Sequence, residues 1–223
     1  MILNPISKSE TARYMGIKGV PDGVTAEIID RCEILVRETV RPKYVYRKTT
    51  VEFTAEGVLL GGVRKLLGGN DIKKHLSGCT EAVVMAVTLS AEADRLIRRT
   101  AVTNMADALA VDCLCSSAVE QVCERAEEEI FSNIQAKYRT WRFSAGYGDF
   151  PIDIQGYLLE FLNAQRRIGL TATADSLLIP SKSVTAVIGI SEKPVNHRKK
   201  GCEGCRMRGN CAFSAVGKTC YEH

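Results

Sequence analysis

The sequence contains no long hydrophobic run. Its longest apolar stretches, such as Ala82–Val87 and Ala186–Ile190, fall far short of the roughly 20 residues that a bilayer-spanning helix needs. No basic, apolar and small-residue succession of the kind that marks a secretory leader opens the chain. Membrane insertion and export are therefore not expected, and the cytoplasm is the expected compartment. A basic body is lacking as well. Within residues 191–223, Lys193, Arg198, Lys199, Lys200, Arg206, Arg208 and Lys218 face only Glu192, Glu203 and Glu222, which accounts for the whole formal charge of +4. Residues 1–190 balance, so nucleic acid is not an expected partner of the body, and such a reading would rest on the tail alone. Finally, Pro180-Ser181-Lys182-Ser183 lacks the glycines and helix start of a phosphate-binding loop, and reads as a loop before a strand.

What is present suits a soluble globule. A 45% hydrophobic and 25% charged chain of 223 residues can bury a sizeable core in one large domain, or in one domain and a small module. Ser7 and Ser9 carry helix-start chemistry and Gly16 a stop. Ile28, Ile29, Cys32, Leu35 and Val36 recur at three- and four-residue steps, the apolar stripe of a helix over 25–39. Tyr44, Tyr46, Thr50, Val51 and Phe53 predict a strand, with Val58–Leu60 as its hairpin return. A buried strand follows at Glu81–Leu89. Ser90 is expected to cap a helical region reaching about Tyr138, broken near Thr100–Asn104, with Glu124, Glu127, Glu128 and Glu129 solvated. Cys113, Cys115 and Cys123 lie inside that region without metal-site spacing and read as small core residues. Ile154, Tyr157, Leu158, Phe161 and Leu162 mark a helix over 152–163, and Val184–Ile188 a last strand.

The most informative stretch is Arg142-Phe143-Ser144-Ala145-Gly146-Tyr147-Gly148-Asp149-Phe150-Pro151. A fixed cation, backbone free to approach a ligand and an aromatic wall in one turn suit a small zwitterionic or carboxylate-bearing ligand. Pro151 fits a first helical turn, and Asp149 just upstream is placed to receive orphan amides. From these residues alone, an ordinary strand–turn–helix corner with Tyr147 packed and Arg142 solvated is the preferred reading. A strand is expected over 140–145, leading into the turn.

Arg142-x-x-x-Gly146-Tyr147, the helix to Asn163, the turn Arg167-Ile168-Gly169-Leu170-Thr171 and the strand entry Pro180-Ser181-Lys182-Ser183-Val184 together resemble the activation domain of cobalamin-dependent methionine synthase. The resemblance runs over roughly residues 75–190. It implies an α+β fold, a twisted and mainly antiparallel sheet flanked by helices, with residues 1–74 as an N-terminal helical and strand segment packed on the main domain. It also implies a site for S-adenosylmethionine lined by Arg142, Ser144, Gly146 and Tyr147. There the arginine would pair with the methionine carboxylate, Ser144 and Gly146 would offer backbone groups, and Tyr147 would stand near the sulfonium or adenine. The fused enzymes place an acidic residue on the preceding helix. Ser116 or Ser117 stands at that place here, with Glu120 one turn further, and no carboxylate role is carried over.

Asp71-Ile72-Lys73-Lys74-His75-Leu76-Ser77-Gly78 is close to the Asp-x-His-x-x-Gly of base-off cobalamin-binding domains, but three residues rather than one separate the aspartate from the histidine. His75 is therefore read as a surface or helix-end residue and not a cobalt ligand. Cobalamin would come only on a partner, a corrinoid-bearing methionine synthase or another corrinoid protein.

Past Ile190 the resemblance stops. A basic linker, His197-Arg198-Lys199-Lys200, leads to Cys202-x2-Cys205-x5-Cys211-x8-Cys220. Four cysteines in nineteen positions suit a tetrahedral zinc or an iron–sulfur cluster in a reducing compartment, and metal binding would supply folding energy that so short a tail lacks. The spacing matches neither ferredoxin nor zinc-ribbon patterns; loose thiols or a disulfide pair are the alternative, and His197 and His223 are further candidate ligands. An iron–sulfur cluster is preferred for a functional reason, since reactivating a corrinoid consumes an electron.

The chain is thus read as an S-adenosylmethionine-binding reactivation module supporting reductive methylation of cob(II)alamin. It would be an accessory to methionine synthase activity and not a complete synthase. An iron–sulfur electron carrier that does not bind S-adenosylmethionine and a zinc-stapled interaction module are the competing readings.

Overall fold

A computed structural model describes residues 3–17 and 19–195. Ser7 caps α1 (Lys8–Tyr14) by accepting from the Glu10 amide at 3.2 Å. Asp22 caps α2 (Gly23–Thr39) by accepting from the Thr25 amide at 2.7 Å, which starts the helix two residues earlier than its apolar stripe suggests. Beyond Pro42 the chain extends into β1 (Lys43–Phe53) and folds back as β2 (Val58–Leu60), with Val51 opposite Leu60. A short α3 (Asn70–Leu76) precedes β3 (Glu81–Thr88), which is buried at every residue after its first. The uncharged, β-branched sequence of β3 fits that central place.

The helical region divides into α4 (Ala91–Thr103) and α5 (Met105–Asn133). The break falls at Asn104, which is extended at φ −156°. Its side chain accepts from the amides of Ala106 at 2.9 Å and Asp107 at 3.3 Å, so it ends one helix and caps the next. Ser90 differs from expectation. It holds the cap position of α4 but at φ +69°, and its hydroxyl donates to the Arg41 carbonyl, joining α4 to the entry of β1 instead of to its own first turn. After β4 (Tyr138–Arg139) come a 3-10 turn (Ile152–Ile154), α6 (Gln155–Leu162) and α7 (Ala164–Ile168). The small hairpin of β5 (Thr171–Ala172) and β6 (Leu178–Ile179) then leads into β7 (Ser183–Ser191).

The main sheet runs β2-β1-β3-β7-β4 with every neighbour antiparallel. The expected α+β fold, a mainly antiparallel sheet flanked by helices, is what the structure shows. Strand alternation divides the interior into two cores. Val83, Met85, Val87, Ala186, Ile188 and Ile190 face α2, α4 and α5. Ala82, Val84, Ala86 and Val187 face α3, α6 and α7. Residues of α2 pack on α5 and β1 pairs with β3 over eight residue pairs, so the N-terminal segment is built into the same cores.

The double duty of Asn104 gives a test. Asn104→Ala is expected to lower the unfolding free energy by about 1 kcal/mol, and Asn104→Asp, which keeps the acceptor, to restore it. Denaturant melts of the three proteins measure this.

Candidate functional site

Regular pairing of the last edge strand ends at Arg139, short of the strand expected over 140–145. The cause is Thr140, whose hydroxyl accepts from the Gly189 amide at 2.8 Å and so takes a ladder donor with a side chain. Contact with β7 then resumes at one bridge, Phe143 with Val187, at 3.0 and 2.9 Å. Alternation survives through this irregular stretch. Trp141 and Phe143 turn into the α3–α6 core, and Arg142 between them turns to α5.

Arg142 is not solvated. Its side chain is 12% exposed, with Nη1 2.9 Å from Glu127 Oε2 and Nη2 3.5 Å from Glu120 Oε2. The two glutamates stand seven residues, two turns, apart on α5, so one face of the helix presents both. Burial alone would lower the Arg142 pKa, but Cys123, Glu127, Glu120 and Glu124 together hold it above its ordinary value. Glu127 also reaches Arg139 at 3.7 Å and is nearly buried, contrary to the solvated face expected for it. Glu120 is 46% exposed and forms the open side of the cluster. Sequence reasoning missed both carboxylates as partners of Arg142. The signal available was their i, i+7 spacing on the helix that precedes the arginine motif.

The turn that follows is closed by its own backbone: the Gly146 amide donates to Phe150 O at 2.9 Å, Tyr147 to Ser144 O at 3.2 Å and Phe150 to Tyr147 O at 3.0 Å. Gly146 lies at φ +90° and Gly148 at +56°, conformations that favour glycine. What the turn offers outward is therefore the uncovered backbone of Gly146 and the ring of Tyr147, which is 55% exposed and 6.2 Å from Phe143. The four residues expected to line a site, Arg142, Ser144, Gly146 and Tyr147, lie along one turn at the sheet edge. A cleft of about 310 Å³ lined by Gly156, Asn163, Gln165 and Thr171 contains none of them.

No protein-family model and no curated protein matches the sequence. Among solved structures, one described as the crystal structure of the MetH reactivation domain bound to AdoHcy superimposes with a TM-score of 0.61 at 16% identity, covering 84% of this chain and 74% of that one. The fold is that of the MetH reactivation domain. The resemblance read from the sequence is borne out at this level.

In this reactivation-domain fold α5 carries a second basic contact. Lys182, 14% exposed, lies 2.9 Å from both Asp112 Oδ1 and Ser116 Oγ, while Ser181 bonds Asp94 through its hydroxyl at 2.6 Å. Asp112, Ser116 and Glu120 follow one another at four-residue steps. Lys182 and Arg142, from separate sequence motifs, thus meet one stripe of α5.

His75 is at a helix end, as expected, and is half-buried. Its ring stacks on Phe143 at 4.8 Å, meets Trp141 edge-on at 5.1 Å and shares a hydrogen bond of 2.8 Å with Thr140 Oγ1 through Nε2. Burial lowers its pKa to about 4 against smaller opposing hydrogen bonds to backbone, so it is neutral at physiological pH.

Asp149 is also used differently from expectation. It receives the amides of Asn70 and Asp71, each at 2.8 Å, and so caps α3 and not the helix that follows Pro151. Cys113, Cys115 and Cys123 are buried core residues, with burial pushing the Cys115 thiol up to about 12. Cys202, Cys205, Cys211 and Cys220 lie outside the described residues, among which no metal-binding cluster of three or more side chains occurs. No helix among the described residues is long and apolar enough to cross a membrane.

The half-buried imidazole predicts a pH dependence. The unfolded chain binds a proton near pH 6.5 that the folded protein refuses until about pH 4, so stability is lost as pH falls through that window. The loss attributable to His75 is on the order of 3 kcal/mol. His75→Gln should flatten this part of the stability–pH curve, leaving the slope due to carboxylates; an unchanged curve would refute the assignment.

Proposed function

We propose that this chain binds S-adenosylmethionine at the Arg142–Tyr147 turn and acts as a reactivation module for a separate corrinoid protein, a methionine synthase or a relative. The observation that carries the reading is the ion cluster of Arg142, Glu120 and Glu127 beside a glycine–tyrosine turn, in a fold shared with a domain whose crystal structure holds AdoHcy. An amino-acid ligand brings both charges that the cluster recognises. Its carboxylate would take the Nη2 side of Arg142, now shared with half-exposed Glu120 at 3.5 Å, while Glu120 turned to its ammonium group. Glu127, nearly buried, would stay to hold the guanidinium in place. Tyr147 would wall the sulfonium side and Ser144 border it. The protein's part is to bind and orient the methyl donor, and the methyl transfer itself belongs to the sulfonium and the partner's cobalt.

The C-terminal cysteines extend the proposal. Cys202, Cys205, Cys211 and Cys220 would hold an iron–sulfur cluster, or zinc, with the cluster preferred because returning cob(II)alamin to its methylated form needs one electron. The tail that carries them would then be a metal-folded module following β7, and the protein an accessory to methyltransferase activity in the cytoplasm.

Anaerobic purification followed by calorimetric titration tests both parts. Saturable S-adenosylmethionine binding that weakens at least tenfold, about 1.4 kcal/mol, in Arg142→Ala is expected. Unchanged affinity in that variant removes the site. A brown, iron-containing sample that bleaches in Cys205→Ser supports the cluster. A colourless, zinc-loaded protein without S-adenosylmethionine binding favours an interaction module, and a brown one without binding an electron carrier.

A further inference from the structure

The Asp71-x-x-x-His75 pair, whose spacing excludes a cobalt ligand, has a different place in the fold. Both residues lie on one face of α3, four apart, and both meet the segment 140–150 that carries the proposed ligand turn. At the near end of that segment, His75 is set against Trp141 and Phe143 and hydrogen-bonds Thr140, so it packs against the neighbours of Arg142 on either side. At the far end, Asp71 Oδ2 accepts from the Asp149 amide at 3.2 Å, while both oxygens of Asp149 accept from the α3 amides of Asn70 and Asp71. The contact is reciprocal: each aspartate closes the other's backbone. It is also too close for side chains on the backbone. A Cβ at Gly148 would come within 2.1 Å of Asp71 Oδ2, and one at Gly69 within 2.6 Å of the Asp149 carbonyl oxygen.

Neither contact is needed to close the turn, which is bonded within itself. Together they fix where the turn sits. With His75 at Thr140–Phe143 and Asp71 at Gly148–Asp149, Arg142 and Tyr147 are suspended between two anchors on one short helix.

We infer that Asp71 and His75 are positioning residues for the S-adenosylmethionine site, holding Arg142 and Tyr147 at a fixed separation and orientation without touching the ligand. The inference rests on the proposed function for its ligand, but not for its mechanical content. A displacement of about 1 Å at a binding or reacting group is enough to cost large factors in recognition.

The experiment compares Asp71→Ala, Asp71→Asn and the wild-type full chain by calorimetric titration with S-adenosylmethionine, together with amide hydrogen exchange. Asp71→Ala is expected to weaken binding about tenfold and to speed exchange at Gly146, Asp149 and Phe150, while β3 and α5 exchange as in the wild type. Asp71→Asn, which keeps an acceptor for the Asp149 amide, should recover most of the affinity and the protection, a rescue that general destabilisation would not give. His75→Gln provides the second anchor's readout, with faster exchange expected at Thr140 and Phe143. Unchanged exchange over 140–150 in Asp71→Ala overturns the inference whether or not the protein binds S-adenosylmethionine. Faster exchange in a protein whose wild type does not bind it upholds the anchoring and removes the ligand assignment instead. Faster exchange with wild-type affinity would show an anchor that does not position the site, and would also overturn the inference.

Discussion

A guanidinium that is 12% exposed cannot stand in the interior of this protein without counter-charges. Arg142 meets that requirement at the edge of the sheet, and its two partners come from a single helix. Glu120 and Glu127 reach it only if α5 lies along β7 with one definite rotation and one definite register. Losing Arg142 would leave the nearly buried Glu127 with only Arg139 at 3.7 Å, so the arrangement disfavours registers that hydrophobic packing alone would tolerate. The apolar contacts of α5, from Ala110 through Ile130, press the helix on the sheet. The ion cluster determines how far along it sits.

The same register serves the other end of the helix. Asp112 and Ser116, two turns and one turn before Glu120, receive Lys182 from the loop that enters β7. Since β7 pairs with β3 on one side and meets Phe143 on the other, the charged stripe of α5 ties together the two segments that sequence resemblance had linked only by order. On the opposite face of the sheet α3 does the corresponding work on segment 140–150 with hydrogen bonds and ring contacts. The edge turn is thereby held from both layers, by charge on one side and by an aspartate pair and an imidazole on the other.

Much of the fold was legible because its signals are local and repeated. The β-branched run of β3, the apolar stripe of α2 and the cap chemistry of Ser7 each follow from a few neighbouring residues, and the break at Asn104 follows from the implausible length of one uncapped helix. What could not be read were pairings across the chain. Asp149 looked like a cap for the helix after Pro151, yet caps a helix 78 residues earlier, because Gly69 and Gly148 let two backbones approach in a way no local rule describes. Ser90 lost its cap role to a carbonyl 49 residues away. His75 reads from the sequence as a surface or helix-end group, and what half-buries it are partners distant in sequence, the rings at 141 and 143 and the hydroxyl of Thr140. For the candidate site, the turn's positive-φ glycines follow from the local sequence, while the glutamates beside Arg142 do not, since a carboxylate's partner is fixed by helix rotation and not by its spacing alone.

The proposed ligand would therefore enter a site that is already neutralised, and this bears on what kind of ligand it can be. A simple carboxylate arriving at Arg142 must displace Glu120 and leave it without a partner beside Glu127, a like-charge arrangement that costs as much as the new contact provides. A cation alone could pair with Glu120 but would meet the guanidinium behind it. A zwitterion meets neither penalty, because its carboxylate replaces Glu120 on Arg142 while its ammonium group follows Glu120 outward, so every charge keeps a partner throughout the exchange. The half-exposed position of Glu120 against the nearly buried Glu127 fits such an exchange: the outer carboxylate is the one free to swing, and the inner one keeps the arginine charged and oriented while it does. On this reasoning the cluster would select for an amino-acid moiety by rejecting ligands that bring only one of its two charges, and the rest of the proposed ligand would be left to the exposed Tyr147 ring and the open backbone at Gly146.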